Sequence, residues 1–127
     1  MDLFNVFINW PTPYWSSTVF IGCVAAGVIF SLAGLLLWKR PPRRINGLYG
    51  YRTAAAMRNQ ASWDFAQVFA GRRMAKSGLV LVLLGIVAAY FPIGETPGGL
   101  LATVGIVALC ADLYSQTERR LRQDFRE

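Results

Sequence analysis

No histidine occurs among the 127 residues. The side chain most used for proton transfer near neutrality, and the commonest metal ligand, is therefore missing, and His-based acid–base catalysis with it. Charge is sparse as well: 16% of residues are charged against 54% hydrophobic. A soluble domain of this length needs more polar surface to cover its core, so the balance points to a membrane. Cysteine is equally scarce. Cys23 and Cys110 lie inside apolar runs without a CxxC partner and read as small hydrophobes. No Lys or Arg precedes Lys39, so the basic n-region of a signal peptide is absent. Neither a cofactor nor a metal is expected from this set of donors.

What is present divides the chain into apolar spans and basic connectors within one membrane domain. Residues 1–16 carry Trp10, Tyr14 and Trp15, broken by Pro11 and Pro13, and read as an outer interfacial segment with aromatics at headgroup level. Residues 17–38 hold no charge across 22 positions, about 33 Å of helix, enough for the ~30 Å hydrocarbon core. Small residues recur there at Gly27, Ser31 and Gly34, a spacing that lets helix backbones approach in lipid or meet a partner. Residues 74–91 form a second span, with Lys76 near its start snorkelling outward. Residues 97–114 form a third, with Pro97 in its first turn. Residues 115–127 read as a solvated helical tail. The fold class expected is all-α: three transmembrane helices and a cytoplasmic interfacial segment between the first and second.

The basic residues orient this arrangement. Nine of the thirteen Lys and Arg lie between Lys39 and Lys76, and the remaining four follow Tyr114. Positive residues stay cytoplasmic, so the N-terminus is placed outside, the 43–73 connector inside and the C-terminus inside. The same placement favours anionic lipid headgroups over nucleic acid as the partner of the +6 charge. Lys76 and Asp112 then fall at similar depth, about 22 Å from the outer ends of their helices. An aspartate at that depth is costly unless partnered, which predicts a buried pair with Lys76 or with an arginine of the loop.

The connector is too specific in composition for a plain link. Gly47 and Gly50 permit positive φ and a compact turn. Thr53 can cap a short helix over residues 54–58, and Ser62 a second helix starting at Trp63. Met57, Ala61, Phe65 and Val68 share one face if the helix is continuous, which describes an interfacial amphipathic segment. Arg52 beside the Thr53 cap makes a positive site suited to a phosphate or carboxylate; the alternative is that it pairs with Asp64 or caps backbone carbonyls. Asn46 and Asn59 can close the loop by hydrogen bonds, and Trp63 can anchor it at the interface.

Asn46, Tyr49, Gly50, Arg52, Thr53, Asn59 and Trp63, with Gly71 as a closing glycine, resemble the signature of the SdpI family of small bacterial membrane proteins. The resemblance covers about thirty residues. It implies a non-enzymatic protein of the bacterial plasma membrane, engaged in immunity to a secreted peptide toxin or in membrane signalling through its cytoplasmic loop. Those seven residues are then the candidate binding loop. A small accessory subunit of a larger membrane complex is the alternative, with the aromatics of residues 1–15 and the small-residue face of the first helix as contacts. A lipid-active protein is the third reading, and Asp64 and Asp112 are the only acids that suit an enzyme. Three helices bury little by themselves, so a protein partner or homo-oligomer is expected.

Overall fold

The chain was analysed as a computed structural model that describes residues 13–125. Among these residues lie three helices and no strand: α1 (Thr18–Lys39), α2 (Gln60–Ala88) and α3 (Glu95–Asp124). The interfacial aromatics expected before residue 13, Trp10 among them, fall outside the described residues. Tyr14 and Trp15 lie within them. The Tyr14 amide donates to the Ala89 carbonyl at 2.6 Å, and the Trp15 ring meets Phe20 and Tyr90 edge-on, so this stretch packs across the end of α2.

α1 and α2 start where the sequence supplies a side-chain partner for the first free amides, whereas α3 opens at Gly94 without one. Ser17 accepts from the Phe20 amide and opens α1; Asn59 accepts from the Ser62 amide at 2.8 Å and opens α2. Ser62 is therefore the group being capped rather than the cap. Residues 54–57 form a single turn, closed by the Ala56 and Met57 amides on the Thr53 hydroxyl and carbonyl, and do not extend into a helix. The extended backbone of Asn59 interrupts them, so Met57 does not join Ala61, Phe65 and Val68 on one continuous face. The face of α2 that is buried instead carries Trp63, Ala66, Gln67, Ala70 and Gly71.

Glycines set how α1 and α2 meet. A methyl group on Gly34 would run into the backbone of Gly71 and Ala75; one on Gly27 would meet the Gly78 carbonyl and Val82. The Ser31 hydroxyl lies between these levels and donates to the Ala75 carbonyl at 3.4 Å. Thus the small-residue face of the first helix is consumed inside the molecule, where it lets two backbones touch. Near its N-terminal end α3 joins them through Ala102, which packs with Val19, Cys23 and Leu81. Large apolar side chains point outward on all three helices, among them Ile29, Leu83 and Val104. Two helices, α1 and α3, are long and apolar enough to cross a membrane.

The last turns of α3 depart from the expected solvated tail. Thr117, Glu118 and Leu121 are buried there, because the 43–59 loop folds back over them. Leu121 packs with Ala56 and Ala66, flanked by Tyr51, Phe65 and Phe125, as a second small core.

Candidate functional site

The loop is built from three local devices. Asn46 supplies the first: its side-chain oxygen accepts from the Leu48 and Tyr49 amides at 2.9 and 3.1 Å, while its NH₂ donates to the Arg44 carbonyl. This is the turn chemistry that asparagine favours. Gly50 supplies the second, with a φ of 114° that side chains rarely tolerate. Gly47 does not share that conformation. The Arg52 guanidinium supplies the third by donating to the Gly47 carbonyl, which ties the loop across its own neck. Of the readings open for Arg52, the structure therefore has it capping a backbone carbonyl.

α2 holds the loop from one side. The side-chain amide of Gln67, fully buried, accepts from the Tyr51 amide at 2.7 Å and donates to the Tyr51 carbonyl at 2.9 Å. A strand neighbour makes the same two bonds, so one helical side chain stands in for a ladder partner. Gly50 must lack a side chain here, since a methyl would strike the Gln67 oxygen. Trp63, expected at the interface, is instead wholly buried, and its indole N–H donates to the Pro42 carbonyl at 2.7 Å. That proline follows α1, so Trp63 fastens the start of the loop to α2.

α3 holds it from the other side through the Leu121 core and, among polar contacts, chiefly through one carboxylate. Glu118 is 8% exposed, and a single oxygen accepts from the Thr53 hydroxyl at 2.6 Å and the Tyr51 phenol at 3.1 Å. Burial, and then the charge and hydrogen bond of Glu118, push the Tyr51 phenol far above its ordinary range. A cleft of about 600 Å³ opens beside this contact, with Thr53, Arg58, Tyr114, Glu118, Arg122 and Phe125 on its walls. Arg58 and Arg122 bring two positive charges to it. The arrangement binds and positions; nothing in it resembles a nucleophile with its base.

The structure thus uses Asn46, Gly50, Arg52 and Thr53 to shape and fasten one loop, and sets Asn59 and Trp63 as the cap and buried anchor of α2. Tyr49 contributes its amide while its ring stays half exposed. Of the two partners expected for Asp112, Lys76 or an arginine of the 43–73 connector, the structure has the arginine, and the pair with Lys76 is corrected. Asp112 binds Arg73, one turn earlier on the same face of α2, at 2.5 Å, and Lys76 is exposed. The longer guanidinium reaches α3 from that position, and Asp112 itself is only partly covered. Gln67 and Glu118 were not anticipated. A lone glutamine amid Ala66, Val68 and Phe69 is a signal for Gln67, whereas Glu118 sits among many charges.

The profile of the SdpI/YfhL protein family matches residues 43–115, which is the loop, α2 and most of α3. The chain belongs to that family. It is also similar to a protein of Bacillus subtilis (strain 168) described as "Uncharacterized protein YfhL". The two are 33% identical over 101 residues, covering 80% of this chain and 86% of the relative. No solved structure gives a significant match. Family membership together with the two apolar helices makes this a membrane protein. Glu118 lies just beyond the stretch that the SdpI/YfhL profile covers, although the loop residues it binds lie within it.

Proposed function

We propose that the protein crosses the bacterial plasma membrane three times and acts without catalysis, in immunity to a secreted peptide toxin or in signalling through its cytoplasmic loop. The observation that carries this reading is that two hydroxyls of the loop, on Tyr51 and Thr53, share the one carboxylate of Glu118 on α3. A peptide or partner segment entering the adjoining cleft competes for that carboxylate and for Arg58 and Arg122, and so frees the loop. Signal transfer then needs no chemistry, only a shift between docked and released loop. α2 supplies the remaining span through its apolar part after Lys76, with Arg72, Arg73 and Lys76 at the headgroups. The N-terminus lies outside and the C-terminus in the cytoplasm.

The accessory-subunit reading loses one of its two contact surfaces, because the small residues of α1 face α2. The deciding experiment compares cells carrying the chain, the Glu118→Ala variant or neither, during challenge with the secreted peptides of related bacteria. Protection that needs Glu118 at equal membrane levels supports the proposal. No protection, with stoichiometric recovery in a large membrane complex, would favour the accessory subunit.

A further inference from the structure

A second cleft, of about 370 Å³, lies between α2 and α3 away from the loop. Its walls change character along α2. After Phe69 at one end come Arg72, Arg73, Lys76 and Ser77, then Val80, with Leu109 on α3. Val80 stands about 6 Å further along the helix than Lys76. Because α3 runs antiparallel after the short 89–94 turn, Leu109 lies on the same side of the Arg73–Asp112 pair as Val80.

The cations here are not balanced. Arg72, Arg73 and Lys76 line the cleft and Asp112 pairs with Arg73, three positive charges against one negative, leaving a surplus of two. Asp112 takes one end of the Arg73 guanidinium, and the buried Nε of that residue has no acceptor among the described residues. Arg72 lies 5.3 Å from the Trp38 ring, which fixes its stem without neutralising it. An oxyanion seated between these groups meets both the surplus charge and the free donor.

We infer that this cleft seats one anionic phospholipid, its phosphate against Arg72, Arg73 and Lys76 and an acyl chain along Val80 and Leu109. Free phosphate has no use for the apolar half of the cleft, and Leu79 and Leu83 beside it are exposed as lipid-facing residues are. The inference rests on the three-span placement proposed above. It differs from a general attraction to the cytoplasmic leaflet in naming a bounded site.

The test uses the full chain purified in mild detergent, titrated with phosphatidylglycerol or phosphatidylcholine and read by native mass spectrometry. Retention of phosphatidylglycerol is expected to exceed that of phosphatidylcholine about thirtyfold, as two uncompensated cations near a lipid surface predict. Lys76→Gln weakens the preference, and Arg72→Gln with Lys76→Gln abolishes it. Arg119→Gln with Arg120→Gln removes the same charge from the exposed end of α3 and leaves it intact. An unchanged preference in the Arg72 and Lys76 variant overturns the site. Displacement of the lipid by glycerol phosphate as readily as by phosphatidylglycerol overturns the role of the acyl chain. Alkaline extraction of cell membranes is read alongside. Release of the protein there overturns the three-span placement and this inference together, whereas a retained protein without lipid preference overturns only the inference.

Discussion

The contacts that α1 and α3 make with α2 are of opposite kinds. Between α1 and α2 the backbones touch at Gly27 with Gly78 and at Gly34 with Gly71, and the interface is almost free of polar side chains. Toward its C-terminal end α3 is held by polar groups as well as by the small core around Leu121: Glu118 on the loop and Asp112 on Arg73. Close packing depends on shape and has one solution, while hydrogen bonds to a carboxylate can be exchanged for others of similar strength. The pair α1–α2 is therefore the fixed frame, and the loop–α3 contact is the part suited to switching.

The comparison breaks most severely at Gly34. Valine there places methyl groups inside the backbone of Gly71 and Ala75, and no flexible side chain can yield. Overpacking of this kind costs about 3 kcal/mol or more. Thermal unfolding in detergent is expected to fall steeply, or the variant to be missing from the membrane. A Gly34→Val protein as stable as the parent shows that the two helices do not meet as described.

Glu118→Ala tests the other half of the comparison and should cost less. It leaves the Tyr51 and Thr53 hydroxyls without their acceptor, worth about 2 kcal/mol between buried and wet extremes. The helices should stay assembled while the loop becomes open to proteolysis after Arg52 and Arg58. Equal protection of the loop in parent and variant removes the basis for a switch. Loss of the whole fold means instead that α3 is part of the frame.

How much of this was legible in the residues follows the same division. The turn at Asn46 and Gly50 could be read because few residues form such backbones, and the carboxamide or missing side chain itself is the signal. The apolar helices could be read from run length. Partner choice was less accessible. Arg73 and Lys76 lie one turn apart, so counting residues gave the depth of Asp112 but not which cation reaches it. Trp63 has the composition of an interfacial anchor and the position of a buried one; only the Pro42 carbonyl above it decides. Glu118 was hidden among the charges of the tail, and its role depends on a loop returning from more than sixty residues away.

The smallest effect expected is also the most specific to the Glu118 contact. The folded chain holds the Tyr51 phenol protonated above its ordinary range, chiefly by burial and further by the carboxylate it donates to. Unfolding exposes a phenol that ionises near pH 10, so above that pH the native chain binds more protons than the unfolded one. The contribution of this contact to stability is thus fully present below about pH 10 and declines as pH rises beyond it. Alkaline absorbance titration in detergent should contain a late phenol component that Tyr51→Phe removes. Glu118→Gln should move that component back toward the ordinary range but not all the way, because burial acts before the charge does. If Tyr51→Phe leaves the late component in place, the phenol does not sit against Glu118, and Thr53 is the residue of the loop that holds that carboxylate.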